Sequence, residues 1–340
     1  MKKIFLVCLI SLVTIILAYG MSFAKVGGPC VNCHTMHNSQ NGVAMAQNTD
    51  GSADNTPNAH LLKGSCFACH MTPGVAGLPK VDKTSSILAG GTFNTATATS
   101  DTMRHNLQGN GAADSQYPGE HVDGILSAAP GGTLAAANLT CAGLNGCHGD
   151  GSVTGNSAGI NGFHHATKGA GSYRLLMVRG RNVTNILGTS VTGKGTNTYE
   201  AGGATTTDHN VYSSAASTSI SELCGNCHGI FHGKSGDADV WDAAASAWIR
   251  HPTDQAIPGT WVITVDSTFI DTTPFGFDDP SSVATNNIGA YLTTTGRVIC
   301  ISCHRAHGSN QPDLLRFNYA AQIAGGGAVA GCLGCHTTQR

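Results

Sequence analysis

Cys30-Val-Asn-Cys33-His34 decides how the rest of the chain reads, because the same arrangement returns four more times. Cys66-Phe-Ala-Cys69-His70, Cys224-Gly-Asn-Cys227-His228, Cys300-Ile-Ser-Cys303-His304 and Cys332-Leu-Gly-Cys335-His336 share its spacing. A stretched version runs from Cys141 through Ala-Gly-Leu-Asn-Gly to Cys147 and His148. At this chain's own cysteine and histidine frequencies, shuffling gives about 0.02 regular motifs. Five are therefore not accidental.

The spacing has a chemical reason. Two thiols three positions apart on a helical turn reach the two vinyl groups of one haem, and the adjacent imidazole reaches its iron. Zinc is a rival, but a zinc site draws four ligands from two knuckles and has no use for a histidine after each second cysteine. Disulfides are a second rival, and they turn six histidine positions into coincidences. The Cys141/Cys147 site follows the same reading: its loop is long, Gly143 and Gly146 ease the tight path, and no other cysteine of the mature chain is left to pair with it. Six haem c groups are the expectation, with His34, His70, His148, His228, His304 and His336 as proximal ligands.

Outward from the motifs, the first 24 residues read as a cleaved signal peptide. Lys2 and Lys3 precede the apolar run from Ile4 to Ala18, and Ser22-Phe23-Ala24 supplies the cleavage pattern. Export is expected, and Cys8 leaves with the peptide. The remaining 316 of 340 residues, 25–340, read as one cytochrome domain with no internal boundary. Only 11% of residues are charged and 6% aromatic, against 45 glycines. Such a chain has little of its own to bury, so the haems must supply the core. The expected fold is mostly irregular coil with short α-helices and few short strands, wrapped around a haem stack. A net charge of −2 without a basic stripe excludes nucleic acid as a partner.

Ten of the sixteen histidines lie outside the motifs. They outnumber the six distal positions, so two imidazoles per iron is the economical expectation. That ligation closes the iron to substrates and points to electron transfer rather than an enzyme. His37, His232 and His307 follow a motif by three or four residues and can only reach a neighbouring haem. The stretch 239–250 is expected as an amphipathic helix ended by Pro252, which aims His251 off its end. His164 and His165 are adjacent, while His105 and His209 sit in polar loops. Trp261 to Val265 carries the clearest strand signal, and Gly188 to Ser221 reads as loops or thin strands. Asp278-Asp279 and Gly149-Asp150-Gly151 are explained by turn chemistry rather than calcium. The motif starts have no fixed period, which argues against a solenoid.

With these residues in view, GGPCVNCHTMHNS, AAPGGT, GSYRLL, ELCGNCHGIFH, WIRHPTD, CISCHRAHGS, LLRFNY and CLGCH resemble outer-membrane multihaem cytochromes of metal-reducing bacteria. In order and haem number they resemble the hexahaem outer-membrane cytochrome S type, whose subunits polymerise into extracellular filaments. The resemblance implies bis-histidine haems in a continuous chain and an extracellular or outer-membrane location. It matches His37, His105, His232, His251 and His307 to shared distal ligands. It also implies that His37 ligates a haem of the next subunit, the one at Cys300/Cys303. The third motif departs from the family in having no histidine block after it; His165 is the expected sixth ligand, with His164, His209, His60 and His121 behind it. Identical subunits and extracellular electron acceptors are the implied partners. A monomeric periplasmic carrier and a multihaem reductase are the alternatives.

Overall fold

The structure is a computed structural model and describes residues 28–47, 53–57, 61–64, 66–70, 74–76, 78–81, 90–93, 103–105, 107, 129–132, 139–165, 168–169, 172–178, 189–194, 210–215, 217–233, 241–242, 244, 247–248, 250–257, 273–284, 289–326 and 331–336. The leader, the Trp261–Val265 stretch, His60, His121 and His209 lie outside these residues.

Short elements joined by coil make up the described chain, as its glycine content and low apolar mass require. Among the described residues the longest helix is Gly289–Thr295, and no strand exceeds three residues. Helices this short do not stand alone in water, so each survives on its contacts. The regular motifs sit where a helical turn was expected: Cys66–His70, Cys300–Cys303 and Cys332–Cys335 are α-helical, and Cys30–Asn32 is a 3-10 turn. Cys224 closes the helix Ile220–Gly225, capped by Ser219, whose hydroxyl accepts the Glu222 amide at 2.9 Å.

One mixed sheet gathers the second half of the chain. Its strands run in the order Gln255–Ala256, Gly296–Val298, Gly276–Phe277, Val211–Ser213 and Gly193–Lys194. Only the Gly276–Phe277 and Val211–Ser213 pair is parallel. Alternation along Val211–Ser213 sends Val211 and Tyr212 to opposite faces. Val211 packs with Ile257, Phe275, Phe277, Val283 and Leu292. Tyr212 joins Tyr173, Leu176, Val178, Val191, Ile220, Leu223, Ile299 and Ile301. A third, smaller cluster centres on Phe67 and Phe93. These clusters are small and separate.

The expected helix over 239–250 is corrected by the structure. Trp241–Asp242 and Ala247–Trp248 form an antiparallel pair with Trp241 level with Trp248. A seven-residue spacing puts both indoles on one helix face and also across one hairpin, so the pattern alone was ambiguous.

Candidate haem-binding sites

The regular motifs share one local bond. The histidine amide donates back to the carbonyl of the first cysteine: His34 to Cys30 at 2.8 Å, His228 to Cys224 at 2.9 Å, His304 to Cys300 at 3.1 Å and His336 to Cys332 at 2.8 Å. That bond closes a turn bearing two thiols and one imidazole. The third motif reaches the same end differently. Thr140–Ala142 and Gly146–His148 lie parallel, with Thr140 opposite Gly146 and Ala142 opposite His148. Cys141 therefore stands level with Cys147, about one strand spacing of 5 Å away. Parallel neighbours ordinarily need a long crossover. Here Gly143, at φ +86°, turns the chain within three residues.

None of the twelve described cysteines is in a disulfide. Burial pushes the thiol of Cys69 up to about 11 and that of Cys303 up to about 12. These groups stay protonated near neutral pH, unlike nucleophilic or redox-sensing cysteines. Among the described residues no three His, Cys, Asp or Glu side chains converge as a metal ion would need.

Histidines instead meet in twos. The ring centroids of His34 and His165 are 6.0 Å apart, those of His70 and His164 6.4 Å, and those of His148 and His307 6.4 Å. His228 faces His105 at 6.0 Å and His336 faces His251 at 6.4 Å. Each couple joins one motif histidine to one of the spare ones. Two metal–imidazole bonds of about 2 Å plus the ring radii span about 6 Å, so one ion fits between each couple.

The rings are also oriented from behind. Nδ1 of His70 donates to Pro79 O (3.1 Å), His148 to Arg174 O (2.9 Å), His228 to Pro130 O (2.8 Å) and His304 to Asp313 O (2.7 Å). Among the spare histidines, His105 donates to Ala306 O (2.7 Å), His251 to Pro252 O (2.8 Å) and His307 to Gly91 O (3.3 Å). A proton held at Nδ1 leaves Nε2 as the ligating atom and raises its basicity. Burial lowers His307 to about 3 and His164 to about 4, which keeps both imidazoles in the neutral form a metal takes.

A Leu-Leu clamp recurs at three motifs and was missed by spacing arguments. His34, His148 and His304 bridge to Leu62, Leu176 and Leu315. The residue after each histidine donates its amide to the preceding leucine: Thr35 to Leu61 O, Gly149 to Leu175 O and Arg305 to Leu314 O, each at 2.8 Å. At two of them the backbone is left-handed, at Arg174-Leu175 (φ 50° and 63°) and Asp313-Leu314 (φ 58° and 57°). That turn is what presents the Arg174 and Asp313 carbonyls to the imidazoles. The three Leu-Leu dipeptides are the only ones in the chain, a signal readable from sequence.

Of the expected distal ligands, His105, His165, His251 and His307 face a motif histidine, and so does His164. His232 does not. The 3-10 turn Gly229–Phe231 carries it back over the preceding helix, where its Nδ1 lies 3.3 Å from Glu222 Oε2 and its Nε2 3.2 Å from Asp254 Oδ2. Burial pulls this imidazole down, but the Asp254 hydrogen bond and the nearby Cys300, Glu222 and Asp254 charges outweigh it and raise it above its usual value. Stability from the charged ring is then complete below the unfolded value near 6.5 and is lost as pH rises through the higher folded value. Asp254→Asn is expected to cost about 2 kcal/mol at about pH 5 and little at about pH 9. Melting curves at the two pH values check this; equal costs would mean that His232 carries no titrating proton, as when bound to iron.

His37 is exposed at φ 51°. Its loop is held by Asn38, which is buried and bonds four backbone groups: Nδ2 donates to Asp54 O and Thr56 O, and Oδ1 accepts from the Met45 and Ala46 amides. His304 is exposed too, and among the described residues no second histidine ring stands opposite it. The two acidic turns behave as expected: Asp150 Oδ1 accepts from the Ser152 amide and Asp279 Oδ1 from the Ser281 amide.

A family model for the doubled CXXCH motif matches residues 293–340. C-type cytochrome OmcS of Geobacter sulfurreducens is 27% identical over 364 aligned residues, covering 86% of this chain and 79% of that protein. The cryo-EM structure of the OmcS nanowires from Geobacter sulfurreducens superposes with a TM-score of 0.53 at 22% identity, covering 89% of this chain and 86% of that one. Irregular coil with short helices and strands is thus a fold shared with a known cytochrome. This chain, with its doubled CXXCH motif, thus resembles C-type cytochrome OmcS in sequence and has that protein's fold.

Proposed function

We propose that this chain carries six haem c groups, each iron held between two imidazoles, and conducts electrons as one subunit of an extracellular filament of identical copies. The observation that carries this is the set of five histidine couples at 6.0–6.4 Å. Haem iron cycling by one electron supplies the redox chemistry. The chain's own part is to fix ring direction through the Nδ1 bonds, exclude open coordination positions and hold neighbouring sites close.

Closeness of the sites is supported along the whole sequence. His164 and His165 serve the first two motifs from adjacent residues, and the Cys33 and Cys69 thiols are in hydrogen-bond contact. His105 and His307, which serve the fourth and third, are joined by a His105 N to His307 O bond of 3.1 Å. Cys224 contacts Cys300, and Cys303 lies beside Cys332 and Cys335. This supports a line of sites running in sequence order from the first motif to the sixth.

The filament part rests on the likeness to OmcS and on two imidazoles at the surface. His304 has its Nδ1 anchored and sits at the surface; His37 is a surface imidazole in a fixed loop. Ligation of the His304 iron by His37 of the next copy completes the sixth couple. This follows the likeness to OmcS, whose solved structure is of nanowires. The revised distal set is His37, His105, His164, His165, His251 and His307, with His232 as an ion-pair residue. Export and an extracellular location come with the same reading.

Negative-stain electron microscopy of the haem-loaded protein, with intact mass for haem number, tests it. Filaments, six haems and wholly six-coordinate low-spin spectra are expected, and His37→Ala is expected to lose the filaments and leave one site open. Discrete particles with six six-coordinate haems would replace the filament with a monomeric carrier.

A further inference from the structure

Two of the turns that hold a motif imidazole carry opposite charges at the same position. At the third motif the carbonyl that accepts from His148 Nδ1 belongs to Arg174, at 2.9 Å. At the fifth, the carbonyl that accepts from His304 Nδ1 belongs to Asp313, at 2.7 Å. Both residues precede a Leu-Leu pair, and both have a left-handed backbone, with φ 50° and 58°. Leu176 and Leu315 then bridge to the histidines. One backbone arrangement thus brings a cation to the third site and an anion to the fifth.

The third site keeps its cation in place. Arg174 is half-buried, its guanidinium lies 4.8 Å from the Tyr173 ring centroid, and Nη2 donates to Oδ1 of the fully buried Asn210 at 3.3 Å. Burial is the main reason that the His148 and His307 imidazoles are lowered, and the Arg174 charge lowers both further. That charge therefore reaches both rings of the third couple. Asp313 is exposed beside His304. Burial again lowers His304 most, but the Asp313 bond and charge oppose it. The Asp313 charge acts there more strongly than that of Arg316, whose Nε donates to His304 O at 3.1 Å.

We propose that the residue before the Leu-Leu pair tunes the haem it helps to hold: Arg174 raises the reduction potential of the third haem, and Asp313 lowers that of the fifth. The proposal rests on the bis-histidine reading and is independent of the filament. In the step concerned, ferric iron takes one electron from a neighbouring haem and becomes ferrous, and no bond forms or breaks. The iron site loses one positive charge, so a nearby cation favours the reduced form and a nearby anion the oxidised form. Pairing of Arg174 with a haem propionate keeps the same sign, because removing the guanidinium then uncovers a negative charge. Arg174 acts where water screens little, whereas Asp313 faces solvent and acts more weakly. Together the two residues bias an electron within one copy toward the third haem over the fifth.

Redox titration of the full haem-loaded chain at an electrode, followed by optical and electron paramagnetic resonance spectra, tests this on Arg174→Gln, Arg174→Lys and Asp313→Asn. Asparagine tolerates a left-handed backbone, so the turn at 313 persists. Arg174→Gln is expected to lower one haem by a roughly tenfold change in its reduction equilibrium, about 59 mV for one electron. Arg174→Lys keeps the charge and is expected to titrate close to the wild type. Asp313→Asn is expected to raise a different haem by roughly threefold, the smaller effect of a solvent-screened charge. Haem number by mass is expected to match the wild type throughout. Unmoved titrations in the Gln and Asn variants, with all haems six-coordinate, would overturn the proposal and leave the bis-histidine reading standing. Equal shifts in Arg174→Lys and Arg174→Gln would overturn it too, since side-chain shape rather than charge would then matter. If Arg174→Gln loses a haem, Asp313→Asn decides alone: an upward shift supports the proposal, and no shift or a downward one overturns it. High-spin haem in the wild type would remove the bis-histidine reading and the proposal with it.

Discussion

Produced without haem attachment, the chain is expected to show no cooperative thermal transition and a far-ultraviolet spectrum dominated by coil. The reason is how little the polypeptide buries by itself. Among the described residues the largest apolar clusters hold six and nine buried residues, with Phe67 and Phe93 as a third. The described elements around them are two- and three-residue strands and helices of at most seven residues. Fixing each backbone residue costs about 1–2 kcal/mol, which these clusters do not offset for a chain of this length. Differential scanning calorimetry of protein made with and without the haem-attachment machinery checks this. A sharp transition in the haem-free chain would show that the side chains alone form a core.

Gly149→Ala is expected to yield one haem fewer than the wild type, with the remaining sites loaded. Gly149 has φ +75°, and a Cβ there would stand 2.1 Å from the Gly159 carbonyl oxygen. Neither party can yield. Gly159 is itself confined, since its own Cβ would lie 2.3 Å from Gly143 N. Asp150 N bonds Gly159 O at 2.7 Å, so the contact belongs to the local ladder. A left-handed alanine plus the clash costs roughly 3–5 kcal/mol, enough to open the loop that aligns Cys141, Cys147 and His148. Intact mass gives the haem number, and peptide mapping identifies the bare cysteines. Full loading would mean that the two strands can separate without disturbing the thiols. Gly42→Ala is the matched control: it shares a left-handed φ of +77°, but nothing lies within 4 Å of its added methyl.

Much of this was legible in the sequence, because covalent chemistry imposes short-range spacing. Two thiols and an imidazole within five residues leave few conformations, and the His N to Cys O bond is the one adopted. The shortness of the described elements was legible too, from glycine and the scarcity of aromatics. What could not be read were choices made by distant partners. His164 and His165 are consecutive, and only the folded chain shows that one faces His70 and the other His34. His232 sits after a motif just as His37 and His307 do, yet Glu222 and Asp254 capture it. The tight turn Gly229–Phe231, which spacing alone does not reveal, sets it beside them. Trp241 and Trp248 fitted a helix and a hairpin equally, and no local rule separates the two.

The Leu-Leu clamp has a consequence for how such a chain changes in length. It occurs at the first, third and fifth motifs, while the second and fourth present a proline carbonyl, Pro79 or Pro130, to the imidazole. Among the first five sites two kinds of part therefore alternate, so loss of any one of the middle three would set two like parts side by side.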